Sequence, residues 1–181
     1  FSEKNNEYYR DKLKNIEINS LDDIYKIPIL EKDDLGDPRI ISNIKDKLVV
    51  NYTGGTTGIS LKNFFTMKDV QERQANLDFF RGMFGYKFGA KTAWFSGKDL
   101  VNSKDVFKNV FWVKDYINKM TYYSTFYMKK DYIDYMVKDM NNTKPQFFVG
   151  FPSAIYAIAY RIKHKKLKID FQLKAIFPTS E

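Results

Sequence analysis

From Lys47 to Tyr52 the chain reads Lys-Leu-Val-Val-Asn-Tyr, a short β-branched run that predicts a strand. It passes directly into Thr53-Gly54-Gly55-Thr56-Thr57-Gly58, and Leu61 to Thr66 predicts a second strand after that loop. Apolar residues then recur at helical spacing. Val70, Leu77, Phe80, Met83 and Phe84 fall near one face, which predicts a helix from about Met67 to Phe84 with Gly85 ending it. Lys91-Thr92-Ala93-Trp94-Phe95 predicts a strand, Asp131 to Met140 an amphipathic helix, and Pro145 to Gly150 a buried strand. Pro152 suits the first turn of a helix, where its missing N–H has no partner to lose, and Ala154 to Ile162 continues it with Ile155, Ile158 and Ala159 turned inward. Lys174-Ala175-Ile176-Phe177 is the last predicted strand.

The stretch before Lys47 is different in kind. Asn6 to Asn15 is mostly charged, with Tyr8, Tyr9 and Leu13 at helical spacing, and Ser20 caps a short second helix. Ile27-Pro28-Ile29-Leu30 is expected to be extended, because Pro28 lacks a donor and biases Ile27 away from helix. Two regions follow from this reading: a helical and extended segment over 1–46, and an α/β portion over 47–181. Strands that alternate with helices and end in Gly, Thr or Ser predict an α/β fold, a mixed sheet layered with helices, with ligand groups at the carboxyl ends of the strands. No internal repeat or low-complexity tract interrupts the pattern.

Composition narrows the picture. A chain of 181 residues that is 44% hydrophobic is able to bury a sizeable core, and most of its 16 Phe and 13 Tyr are expected there. Thirty Lys plus Arg against 22 Asp plus Glu give a net charge of +8, which favours anionic partners. The lysines are scattered, and the one dense run, Lys163 to Lys168, reads as a solvated helix end. With no Cys there is no disulfide, thiolate metal site or thiol nucleophile within the chain. His164, the single histidine, lies inside the lysine run, so neither a catalytic triad nor a His-rich metal site has support, and no metal ligand is assigned. No apolar run approaches the roughly 18 residues of a spanning helix, so no membrane span is expected and a cytoplasmic setting is. A start on Phe1 and a stop at Glu181 directly after an apolar run lead us to expect a portion of a longer protein.

The chemistry concentrates in one loop. Residues 53–58 hold three glycines and three hydroxyls, so the backbone can approach a ligand closely while N–H and O–H donors converge on an anion such as a polyphosphate. Lys62 adds a positive charge nearby. The glycines are not followed by the Gly-Lys-Ser/Thr of a P-loop, and they do not open a helix as a dinucleotide fingerprint does. A Gly/Thr-rich turn between two strands remains the plain structural alternative. A non-catalytic basic module for nucleic acid or an anionic membrane is the rival function. It rests on the net charge alone, because neither an RNA-binding aromatic signature nor a strongly basic amphipathic helix is present. No nucleic-acid partner is expected.

Tyr52-Thr53-Gly54-Gly55-Thr56-Thr57-Gly58-Ile59-Ser60-Leu61-Lys62 resembles the phosphate-binding signature of adenylate-forming enzymes, T-S-G-T-T-G-x-P-x-K. It departs at Gly54, where Ser is usual, and at Ser60, where Pro is usual; these departures leave a degenerate, scaffold-like relative as a third reading. Ile27 to Leu35 is similar to the I-P-x-L-x-K-x-D-L segment of the branch that contains phenylacetate–CoA ligases and capsular-polysaccharide-biosynthesis adenylate-formers. Gly150-Phe151-Pro152-Ser153 is similar to its G-Y-P-S turn, and Leu173 to Glu181 to its strand and T-G-E-like turn. In order and spacing the resemblance spans about the whole chain.

The resemblance implies part of the large amino-terminal domain of an ATP-dependent, AMP-forming ligase. Such an enzyme uses ATP and Mg²⁺ to activate a carboxylic acid as an acyl adenylate, then passes it to coenzyme A or another nucleophile. Thr53, Thr56, Thr57 and the backbone of Gly54, Gly55 and Gly58 would hold the β- and γ-phosphates, with Lys62 as a further partner, and Thr179, Ser180 and Glu181 would lie beside the adenine. Gly150, Phe151, Pro152 and Ser153 would line the acyl pocket opposite Trp94 to Gly97. Strand-to-helix geometry for Gly150 and Pro152, and core packing for Trp94 and Phe95, stay open beside those roles. The family's aromatic-Gly-x-Thr-Glu motif, ribose-binding Asp and carboxyl-terminal lysine would all follow Glu181, so no catalytic residue is assigned within this chain.

Overall fold

In a computed structural model that describes residues 6–41, 47–52, 61–98 and 100–179, the polypeptide divides into two units, Phe1–Gln74 and Ala75–Glu181. The first begins where Asn6 caps helix α1 (Glu7–Leu13): its side-chain oxygen accepts from Tyr9 N–H at 3.2 Å, and its amide donates to Ile40 O. Ser20 caps a 3₁₀ turn at Leu21–Lys26, with Asp23 accepting from the Ser20 N–H at 3.0 Å. Ile27 is extended, as the following Pro28 requires, and shorter 3₁₀ turns follow at Asp34–Gly36 and Pro38–Ile40. Strands β1 (Leu48–Tyr52) and β2 (Lys62–Thr66) pair antiparallel, with Leu48 opposite Thr66 and Tyr52 opposite Lys62. The expected strand before the Gly/Thr-rich loop and the one after it are therefore both present, as partners of one another.

Helix α2 (Met67–Gly82) begins where it does because Thr66 and Asp69 cap each other. Asp69 accepts from Thr66 N–H at 2.8 Å and from its hydroxyl at 2.7 Å, while the Asp69 N–H donates to Thr66 Oγ1 at 3.1 Å. Those bonds, the hydroxyl's first, hold the Asp69 carboxyl below its ordinary pKa. The chain leaves the helix two residues before the predicted end and turns through Gly85 at φ +81°. The predicted apolar face of this helix is not buried: Leu77, Phe80, Met83 and Phe84 are all exposed, and the residue that is buried is Arg81. Leu77, Phe80 and Phe84 do line one groove, where Phe84 meets the Phe177 ring edge-on at 6.1 Å, but all three stay exposed.

The second unit is built on a five-stranded sheet in the order β4-β5-β3-β6-β7, comprising β3 (Thr92–Ser96), β4 (Trp112–Asp115), β5 (Met120–Ser124), β6 (Phe147–Gly150) and β7 (Ala175–Pro178). All neighbours run parallel except β4, which pairs antiparallel with β5. The fold is α/β with a mixed sheet, as the alternation of elements predicts. Pleating sends Ala93, Phe95, Tyr123 and Phe148 to one face, where α4 (Lys130–Thr143) and α5 (Pro152–Lys165) cover them with Met136, Met140 and Ile158. Trp94, Phe147, Val149 and Phe177 point to the other face and meet Tyr86. On α5 the inward residues are Ala154 and Ile158, with Ile155 half-buried; Ala159, expected inward, is exposed.

Residues 101–129 carry elements that the hydrophobic pattern does not predict: α3 (Ser103–Phe107), β4 and β5. Strand β5 reads Met-Thr-Tyr-Tyr-Ser, polar enough to pass for a loop, yet Tyr123 is wholly buried. Its hydroxyl is satisfied from a distance by Asp139 on α4, at 2.8 Å, and Asp139 is balanced by Lys114 of β4 at 2.6 Å. Lys163 to Lys168 is solvated at the end of α5, where Lys166 turns the chain at φ +52°. Among the described residues no helix is long and apolar enough to cross a membrane.

Helices α4 and α5 are tied by a bidentate pair in which Arg161 Nε and Nη2 donate to the two oxygens of Asp134 at 2.8 Å each. Arg161, with Lys165 behind it, holds the Asp134 carboxyl down at about 2. A carboxyl depressed in the folded state contributes stability above its unfolded pKa and loses it as pH falls through its folded value. Arg161→Ala is therefore expected to lower unfolding free energy by about 1–2 kcal/mol at neutral pH. Urea titrations should show the deficit of the variant shrinking between about pH 4 and pH 2.

Candidate functional site

The carboxyl ends of β5, β3 and β6 lie side by side, because Ser96 is in register with Ser124 and Phe95 with Gly150. Chain reversals at this edge bring small and hydroxyl-bearing residues together. Thr125 Oγ1 donates to Ser96 O at 3.1 Å, Lys98 N–H donates to Ser96 Oγ at 3.2 Å, and Thr179 N–H, just past β7, donates to Gly150 O at 2.9 Å. Ser124 Oγ is fully buried at the same edge and has no hydrogen-bond partner among the described residues. Sequence reasoning missed Ser124 because β5 was not predicted. The signal it left was a hydroxyl directly after a Thr-Tyr-Tyr run.

Gly150 is required here by geometry. It sits at φ +136°, and a Cβ at this position would lie 2.3 Å from Phe95 O and 2.8 Å from Phe95 Cβ. Backbone therefore runs against backbone at the end of β6, and the following Pro152 starts α5 as the pattern predicts. Gly97, past the end of β3, lies under the ring of Phe151, since a Cβ there would meet Phe151 Cε2 at 2.8 Å. The structure thus brings together the two segments named as facing walls, Ser96-Gly97 and Gly150-Phe151. Ser153 is exposed in the first turn of α5. Phe95 is core, packed between Tyr123 and Phe148, and Trp94 lies on the opposite face beside Tyr122.

In the first unit, Lys62 opens β2 directly opposite Tyr52, so it stands at the exit of the connection that carries the Gly/Thr-rich motif. Its side chain is exposed, its Nζ lies 6.0 Å from the Tyr52 ring centroid, and it has no anionic partner among the described residues. Thr53, Gly54, Gly55, Thr56, Thr57 and Gly58 lie outside the described residues, as do Ser180 and Glu181. The connection from Thr53 to Leu61 is longer than the two to five residues of a typical tight hairpin. Among the described residues no group of three or more His, Asp or Glu is placed to hold a metal ion.

The chain is 28% identical over 187 aligned residues to Protein CapK of Staphylococcus aureus. It is CapK-like. The alignment covers all of this chain and 41% of that protein, so the chain spans about two fifths of the length of the curated relative it matches. No family model matches it. The CapK-like similarity extends across both units, and so includes the β1–β2 connection as well as the Gly150 turn.

Two glycine substitutions separate the roles of the turn. Gly150→Ala is expected to cost at least about 2 kcal/mol, because the clash is with backbone and φ is positive. Gly97→Ala should cost less, since its neighbour is a side-chain ring that can shift. Guanidinium unfolding of the two variants in parallel would show this order, and equal costs would remove the backbone-approach argument.

Proposed function

We propose that this CapK-like chain is the phosphate-gripping portion of an ATP-dependent, AMP-forming ligase that activates a carboxylic acid. The observation that carries the reading is the motif Tyr52 to Lys62, whose two end residues are held opposite each other by strand pairing. A connection longer than a tight turn, rich in glycine and hydroxyls and bordered by a lysine with no anionic partner among the described residues, suits the polyphosphate tail of a nucleotide. Similarity to CapK along the whole chain supports the resemblance to the capsular-polysaccharide branch of these enzymes.

In the proposed reaction a carboxylate oxygen attacks the α-phosphorus of ATP. The bond to the bridging oxygen breaks, pyrophosphate leaves with its electron pair, and an acyl adenylate forms. A nucleophile, such as the thiol of coenzyme A, then attacks the acyl carbon and expels AMP. Within this chain the work is electrostatic and positional: N–H and hydroxyl donors of Thr53 to Gly58 and the Lys62 ammonium hold the leaving pyrophosphate. Magnesium would be carried chiefly by the phosphates. The edge formed by Ser96, Gly97, Gly150 and Phe151 is the proposed wall for the acid, and Thr179 with Ser180 and Glu181 is the proposed border of the adenine.

The test is acid-dependent pyrophosphate exchange by the complete protein. Thr56→Ala combined with Thr57→Ala is expected to lower exchange by at least about a hundredfold. Unchanged exchange would take the loop out of the mechanism. The 181-residue chain alone is expected to bind ATP weakly and to make no adenylate. Steeply salt-dependent nucleic-acid binding without nucleotide preference would favour the basic-module reading instead.

A further inference from the structure

The amino-terminal edge of the five-stranded sheet carries a second polar cluster, away from the edge where Ser96 and Gly150 lie. Thr92 opens β3 and Ser96 closes it, so the two edges are about 13 Å apart along this strand. A cavity of about 240 Å³ opens at the amino-terminal edge, wholly within the second unit, and Lys91, Lys114 and Lys119 all line it. Its volume is a little below that of a drug-sized pocket, so it suits a small ligand.

Among the described residues only one of the three ammoniums is matched: Lys114 meets Asp139 at 2.6 Å, whereas Lys91 and Lys119 are exposed and make no ion pair. Asp115, the carboxylate in the cavity wall, is already engaged by its own turn. Its Oδ1 accepts from the Ile117 and Asn118 N–H groups at 3.0 Å each, and its Oδ2 from the Asn118 amide at 2.7 Å. Backbone pairing fixes how close the two unmatched lysines are. Thr92 is in register with Met120 and its N–H donates to Lys119 O at 3.2 Å, so Lys91 and Lys119 precede neighbouring parallel strands, about one strand spacing of 5 Å apart at the backbone. Like charges so placed repel.

Three ammoniums outnumber the two carboxylates of the cluster, Asp115 and Asp139. The carbonyl end of α4 adds about half a negative charge, which does not cancel the surplus. Its last carbonyls are also partly taken, since Lys144 N–H donates to Met140 O at 2.7 Å and Thr143 Oγ1 to Asp139 O at 3.1 Å. An occupant that relieves the repulsion between Lys91 and Lys119 brings two negative charges on one compact group. Tyr116, Met120 and Pro145 complete the walls and offer apolar surface to whatever that group is attached to.

We propose that this cavity binds a small phosphate monoester as its dianion, with Lys91 and Lys119 as its ionic partners and Thr121 and Asn142, also in the wall, as neutral donors. The site uses none of the residues of the nucleotide reading and does not depend on it.

The probe is phenyl phosphate, a dianion at pH 8, titrated into the complete protein and followed by saturation transfer to its ring protons. Phenyl sulfate, of the same shape with one charge, is the control. Saturable transfer is expected with the phosphate, and at least about fivefold weaker binding with the sulfate. Lys91→Gln combined with Lys119→Gln should weaken phenyl phosphate at least about tenfold, with no fall in the urea midpoint because both side chains are exposed and unpaired among the described residues. Lys62→Gln should leave this affinity unchanged. The proposal falls if transfer does not saturate, if phosphate and sulfate bind alike, or if the double variant binds as tightly as the parent. Weakening by Lys62→Gln that the double variant does not share would place the phosphate at the Gly/Thr-rich connection and overturn it too.

Discussion

Strand β3 has to be paired along both edges and covered on both faces, and most of the second unit answers to that demand. Parallel pairing to β5 and β6 satisfies its backbone groups. One face is covered by α4 and α5 through Ala93 and Phe95, the other by Tyr86, Phe147, Val149 and Phe177 beside Trp94. The closest approach is at the end of β6, where Gly150 leaves no room for a Cβ against Phe95. That contact sets the height of the Gly150–Ser153 turn relative to Ser96 and Gly97. The candidate acid wall is thus a consequence of how tightly β6 seats on β3.

Polar groups inside this unit are handled in two ways. Asp139 serves Tyr123 and Lys114 together, so a buried hydroxyl and the buried Asp139 carboxylate are both matched at short distance. Arg161 and Asp134 do the same between α4 and α5 nearer the surface. Arg81 is the exception, held by rings more than by oxygen.

The first unit is organised by caps and turns rather than by a wide core. Asn6, Ser20 and the Thr66–Asp69 pair each start an element by supplying the oxygen that an early N–H lacks. Antiparallel β1 and β2 then hold Tyr52 and Lys62 opposite each other. The strand pair and the Thr66–Asp69 cap fix the two points from which the 53–61 connection leaves and returns.

Local rules made much of this legible. Strand and helix positions around the Gly/Thr-rich loop, the helix start at Pro152, the solvated Lys163–Lys168 run and the core role of Phe95 follow from backbone chemistry and from periods of two and 3.6, which the chain carries within a few residues. Residues 101–129 were not legible, since β5 is polar in composition and is made a core strand by Asp139, 16 positions away along the chain from Tyr123. Nor could periodicity say what an apolar stripe packs against: it marked Leu77, Phe80 and Phe84 as one face, yet that face is open and the buried member of the helix is Arg81. Order of elements is written locally because steric and capping preferences act over a few residues. Which strand lies beside which, where a backbone must be bare, and which charge loses its water depend on contacts between distant segments, and these exist only in the folded chain.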